Sequence, residues 1–312
     1  MKKIVNNVFV VKPYVPNSMD CCVYLIDTKS DDGLVLIDVG LDIEPIQEIE
    51  KKGFNLNEIK NCLITHGHLD HIGACNQLKS FSKDIKFYAH ELDAEKIEQI
   101  PTDPYVSQYY ADYKYEPIKL TRKFKVDNEI LKFGKVEIKC IHIPGHTPGS
   151  VAYLLETGNK KILFGGDLPG SAINTRGGDL DAYLKSMQKL LDLNVDILCE
   201  GHEDIIKPAK KAAESIKLYM KLNKNINLIA LEDPFNKEAL LELTIQSYKL
   251  KYFDNALDFC QYLLEIDPDN SSAQQLLKKI KKHNPPKMEY IKGLIQENFP
   301  ELSTQIHEEE QD

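Results

Sequence analysis

Seven consecutive residues, Thr65-His66-Gly67-His68-Leu69-Asp70-His71, constrain this chain more than any other stretch. Four of them carry metal-binding side chains. The run ahead of them, Asn61-Cys62-Leu63-Ile64, is short and apolar and reads as a buried strand with the cluster at its C-terminal end. In extended chain, residues i and i+2 point the same way, so His66 and His68 can reach one metal together. Asp70 and His71, where the chain leaves the strand, can aim at a second metal beside it. Imidazole and carboxylate are ligands that zinc accepts, and imidazole also suits iron. The alternative, a set of solvated loop histidines, crowds three imidazoles and a carboxylate together with no cation to share.

A two-metal site needs more than four ligands, and three later segments offer them. Gly145-His146-Thr147-Pro148-Gly149-Ser150 presents His146 on a Gly/Pro-framed turn, Gly165-Gly166-Asp167 presents Asp167, and Glu200-Gly201-His202 presents His202. Each follows an apolar strand, so all can converge on one edge of a layered sandwich. Strands are expected at 4–12, 21–27, 33–38, 85–89, 119–124, 129–133, 136–143, 151–155, 161–164 and 196–199. Helices are expected at 43–52, 73–81, 91–99, 180–191 and 208–222. The early strand–helix alternation is that of an α/β layered half.

In this order the residues match the HxHxDH signature and later ligands of the metallo-β-lactamase fold superfamily, and the chain resembles that family from about residue 4 to 205. The resemblance implies an αββα four-layer sandwich. It implies His66, His68 and His146 on one metal, Asp70, His71 and His202 on a second, and Asp167 bridging. Asp38 matches the family's strand-end Asp, a support behind the ligands. The cofactor implied is two divalent metal ions, zinc foremost, with iron or manganese as alternatives. With Asp70 rather than Cys, and Asp167 as bridge, the pattern is similar to the glyoxalase II and lactonase-like branch. The expected activity is hydrolysis of a small thioester, lactone or other ester by a metal-bridging hydroxide, with Asp70 orienting it or accepting its proton. The runner-up is a mononuclear iron enzyme resembling persulfide dioxygenases; a third reading is an adaptor acting through the C-terminal helices. The chain departs from the family at Glu200, where Pro is commoner. Substrate contacts are expected from Arg176 and from the Tyr-rich stretch 101–118, with Tyr105, Tyr109 and Tyr110 foremost.

From about residue 232 the pattern turns all-helical. Residues 237–270 fit one tetratricopeptide repeat, with Leu240, Leu243, Phe253, Ala256 and Leu263 at its apolar positions and Pro268 at its end. Thr244, Ser247 and Cys260 depart from the usual residues. The expected division is 1–222 for the hydrolase, 232–284 for the repeat and 285–312 for a helical, acidic and partly disordered tail. The joint at 223–236 is expected to make the two parts separable, with the repeat serving a protein partner or self-association. A net charge of −9 argues against nucleic-acid binding. No apolar run reaches membrane-spanning length. Seven scattered cysteines, with no secretory signal at Met1-Lys2-Lys3, point to a cytoplasmic protein.

Overall fold

The structure is a computed structural model that describes residues 1–15, 18–100, 113–173, 177–287 and 289–302. Among these, twelve strands form two sheets. The first is β1 (Lys2–Val5), β2 (Val8–Lys12), β3 (Val23–Asp27), β4 (Leu34–Ile37), β5 (Ile59–Leu63), β6 (Lys86–His90) and β7 (Arg122–Phe124), in sequence order. The second holds β8 (Glu129–Phe133), β9 (Val136–His142), β10 (Val151–Thr157), β11 (Lys160–Gly166) and β12 (Ile197–Glu200), ordered 12-11-10-9-8. Pairing is parallel from β4 to β7 and between β11 and β12, and antiparallel elsewhere.

Period-two alternation explains the layers. In β3 all five residues are buried. Val23 and Leu25 join a core made with the helical segments through Ile46, Ile72 and Leu78. Tyr24 and Ile26 join a core shared with Tyr153, Phe164 and Cys199 of the second sheet. A strand covered on both faces cannot show polar alternation, which is why these runs read as continuously apolar. The amphipathic helix Leu180–Asp192 buries Tyr183, Met187 and Leu190, and its Ser186 Oγ donates to Pro144 O at 2.8 Å. The architecture is the expected αββα sandwich followed by a helical region.

Several helices are shorter than expected. Over 43–52 the buried residues are Ile43, Ile46 and Ile49, a spacing of three. The chain accordingly forms one α-turn, Glu44–Gln47, then a 3-10 turn, Glu50–Lys52, ended by Gly53 in the left-handed region. The expected 73–81 helix is likewise reduced to Cys75–Leu78, and a separate turn, Leu69–Ile72, carries Asp70 and His71.

The contacts divide the chain into two compact units: residues 1–170 with 181–214, and residues 171–180 with 215 onwards. The helix Ala209–Leu231 runs unbroken through position 222, where the first domain was expected to stop. In the second unit this helix packs with Lys237–Leu250, Phe253–Ile266, Ser271–Ile280 and Tyr290–Asn298. Leu240, Leu243, Ala256 and Leu263 are fully buried; Phe253 is only half-buried and stacks on His283 at 3.7 Å. Thr244, Ser247 and Cys260, the departures from the repeat pattern, are also fully buried. Asn236 and Asn270 cap their helices by accepting from the amides of Ala239 and Ala273. Ala172 and Ile173 belong here too: Ala172 N donates to Asn223 Oδ1 at 2.8 Å, and Ile173 is buried with Leu222 and Ile226.

Asp258 supplies a stability test in this unit. It is buried and accepts from Ile291 N at 2.8 Å, in the first turn of the 290–298 helix. Burial pushes its carboxyl up to about 6. The folded value lies above the unfolded one, so the native state prefers the proton. That contribution is complete below about pH 4 and is lost as pH rises through about 6. Asp258→Asn, which keeps an acceptor oxygen, should therefore stabilise the protein at pH 7.5 by about 1–3 kcal/mol and change little at pH 4. Thermal unfolding at the two pH values reads this directly; equal shifts at both would refute it.

Candidate metal centre

The candidate ligands lie where five strands end at one edge of the two sheets. Asp38 follows β4, and His66 and His68 lie in the extended loop after β5. His146 follows β9, Asp167 follows β11 and His202 follows β12. Backbone bonds stitch the sheets together there. Val151 N donates to Thr65 O at 2.9 Å, and Cys22 N to Gly201 O at 2.6 Å. Tyr153 OH donates to Ile64 O and Tyr24 OH to Glu200 O. Asp70 and His71 come from the first turn of the Leu69–Ile72 helix rather than from extended chain.

Two groups of four donors result, each within 4.8 Å: His66, His68, His146 and Asp167, and Asp70, His71, His202 and Asp167. In the first, His68 Nδ1 lies 3.0 Å from His66 Nε2 and 2.9 Å from His146 Nε2. In the second, His202 Nε2 lies 2.9 Å from Asp70 Oδ2, and His71 Nε2 lies 3.4 Å from the same oxygen. Asp167 belongs to both. Its Oδ2 faces His146 Nε2 at 3.5 Å and His66 Nε2 at 3.9 Å; its Oδ1 faces His71 Nε2 at 3.0 Å and His202 Nε2 at 3.4 Å. Donors about 2.0–2.2 Å from a shared tetrahedral zinc stand roughly 3.3 Å apart, so these spacings fit.

The electrostatics fit as well. Burial, reinforced by the neighbouring imidazoles, holds His66 well below its ordinary value and His68 at about 3. Both are neutral, with lone pairs to offer. Burial opposes the charged form of His71, but Cys21, Asp167, Asp70 and Asp38 outweigh it and raise the ring well above its ordinary value. Asp167 behaves conversely: burial raises it, and His202 and His71 outweigh that and hold it well below the usual carboxylate range. His71 Nε2 and Asp167 Oδ1 are buried without hydrogen-bond partners. Three converging imidazole nitrogens and a facing buried anion are a donor set that a divalent cation satisfies.

Asp38 stands behind the donors. It is buried, with φ of 55°, a sparsely populated conformation for a residue with a side chain. Its Oδ1 accepts from Thr65 N at 2.8 Å. Its Oδ2 takes Thr65 Oγ1 at 2.7 Å and lies 2.8 Å from His71 Nδ1. That last contact leaves His71 Nε2 facing Asp167. Cys21 completes a further trio with Asp38 and His71.

Glu200 is fully buried, and burial with the neighbouring Glu203 holds its carboxyl well above the usual range. His90 does not enter either donor group. It stacks on His142 at 4.0 Å, and His142 Nε2 lies 2.9 Å from Pro148 O. The expected substrate residues Arg176, Tyr105, Tyr109 and Tyr110 lie outside the described residues, as do His307 and the acidic end. A groove of about 540 Å³ is lined by Lys12, Ser18, Met19, Asp20, Leu41 and Asp42, beside the turn that follows Asp38. Lys12 is ion-paired with Asp20, whose Oδ1 also accepts from Leu41 N.

Among the described residues no helix is long and apolar enough to cross a membrane. All seven cysteines are buried and free.

Comparison with known proteins agrees with this geometry. The sequence model of the Fis1 C-terminal tetratricopeptide repeat matches residues 237–283. Hydroxyacylglutathione hydrolase GloC of Haemophilus influenzae is 34% identical over 198 residues, spanning 61% of this chain and 88% of the relative. A hydroxyacylglutathione hydrolase of Dictyostelium discoideum is 30% identical over 164 residues, half of each chain. The solved structure of a B3 metallo-β-lactamase with an active-site glutamic acid superposes with a TM-score of 0.57 at 21% identity. It covers 73% of this chain and 89% of that one, a likeness of fold. The model of the metallo-β-lactamase superfamily matches residues 19–202, the span that carries every residue of both donor groups, and the chain belongs to that superfamily as a metal-dependent hydrolase.

Proposed function

We propose that the protein is a binuclear metallohydrolase acting on a small acyl thioester. The observation that carries this reading is Asp167, whose two oxygens face two separate donor groups. A bridging carboxylate is what a pair of ions a few ångströms apart requires. His66, His68 and His146 would hold one ion, Asp70, His71 and His202 the other, with zinc best suited to this donor set. When bound, two such ions supply a Lewis acid for the carbonyl and a nucleophile available at neutral pH.

The chain's own residues do the rest. Burial works against a charged Asp70, but His71 and His202 prevail and keep its carboxyl below the ordinary range. Asp70 stands where it can orient the attacking water as an acceptor or take up its proton. Asp38 keeps His71 turned toward Asp167. The names of the Haemophilus and Dictyostelium relatives support the thioester over a lactone. The repeat at 237–283 supports a further role, contact with a protein partner or a second copy of the chain.

Purified protein should carry about two ions per chain by elemental analysis. A screen across acyl thioesters, lactones and phosphodiesters should give its fastest turnover on a thioester. One iron per chain in protein with no thioester turnover would overturn the proposal.

A further inference from the structure

Asp93 belongs to neither donor group, yet it is fully buried behind one of them. It ends the short 3-10 turn Glu91–Asp93 that follows β6. Its Oδ2 accepts from Gly67 N at 2.8 Å and from Thr147 Oγ1 at 2.7 Å, and its Oδ1 accepts from Gly149 N at 2.8 Å. Gly67 separates His66 from His68, and Thr147 follows His146. One carboxylate thus ties together the two loops that present the three histidines of the first donor group. Room for it is built in: a Cβ at Gly149 would lie 2.6 Å from Asp93 Cγ and Oδ1. Glycine there allows the close approach of the carboxylate to the backbone.

We infer that Asp93 is the positioning residue of the first donor group, holding the His66–His68 loop and the His146 loop at one spacing. The inference rests on the two-ion reading. Its physical basis is that hydrogen bonds from amides and a hydroxyl to a buried carboxylate are charge-assisted and face no competition from water. Asp38 serves the other side in the same way, through Thr65 and His71. The site is therefore braced by two buried aspartates, and loosening one should act on one group.

The test uses full-length apo-protein titrated stepwise with Co2+ alone. Visible absorption reports ligand geometry, chelator competition reports affinity and thermal unfolding reports stability. Asp93→Asn keeps the shape but has one acceptor oxygen, and its NH2 must face an N–H or O–H donor. In this variant one of the two binding events should weaken at least tenfold and change its absorption bands, while the other stays within twofold. Thr147→Val, which removes one of the three donors, should weaken the same event less. Equal weakening of both events, or no change in either, overturns the inference. If Asp93→Asn fails to fold, Thr147→Val decides: weakening confined to one event supports the inference, and equal weakening of both or no change in either overturns it. A single event in the wild-type protein would count against the two-ion reading instead. Asp93 is then judged on that event, with unchanged affinity and spectrum overturning its role.

Discussion

Asp167→Ala should purify as folded protein with at most one tightly held ion per chain and with turnover reduced by at least about a thousandfold, roughly 4 kcal/mol of transition-state stabilisation. Asp167 Oδ1 and Oδ2 face opposite donor groups, so the substitution removes a ligand from each group at once. Each is left with three donors: His66, His68 and His146 on one side, Asp70, His71 and His202 on the other. Neither set then fixes its distance from the other, and it is that distance on which chemistry using both ions depends. Folding should survive because the strands that position the loops are unaffected. The apo-form loses an anion that faces His71 at 3.0 Å, but His71 keeps its contacts with Asp38 and Asp70, so its unfolding temperature should move far less than its activity. Metal content, turnover and unfolding measured on the same preparation separate these effects. A variant that retains two ions and a tenth of the activity would remove Asp167 from the bridging position.

A chain ending at residue 230 should lose cooperative folding or solubility, although the sequence reads as if the helices could be cut away there. The helix Ala209–Leu231 buries Leu222, Ile226, Ile229 and Ala230 in the helical core, beside Leu240, Leu243, Ala256 and Leu263. Ending at 230 uncovers the first set by removing the second. Three large aliphatic side chains at about 1.5–3 kcal/mol each amount to some 5–9 kcal/mol, comparable to the whole stability of many domains. Ile173 is buried in the same core, and Ala172 N is bonded to Asn223, so the segment that follows Asp167 by a few residues also loses its packing. Soluble yield and thermal unfolding check this. A 1–230 protein that unfolds cooperatively at the full-length temperature would restore the separable arrangement.

These two outcomes differ in how far the sequence anticipated them. His66, His68, Asp70 and His71 are legible because they are adjacent, of ligand type and set at the end of an apolar run. His146, Asp167 and His202 repeat that arrangement, each on a short loop after a strand. Metal ligation is carried by residue types that are scarce elsewhere in such positions, so it leaves a local mark. Asp93 leaves almost none. An Asp in a turn has many ordinary uses, and its three partners lie 26, 54 and 56 residues away in the chain. Its one trace is Gly149, whose missing side chain reads equally well as turn chemistry.

The same holds for the joint between the units. The stretch 223–236 reads as a joint because the repeat that follows it buries its own apolar face. In the structure Asn223 and Asn227 are buried within the helix, and both bond to Ala172. The layered fold, the repeat and the candidate donors were legible in the sequence, because each rests on periodicity or on short-range residue chemistry. What needed the folded chain was that Asp93 bonds to the loops of Gly67 and Thr147, that Asp70 and His71 sit on a helical turn, and that Ala172 and Ile173 pack with the C-terminal helices. Those depend on which distant backbone groups need a partner once water is excluded, and that becomes defined only when the chain has closed on itself.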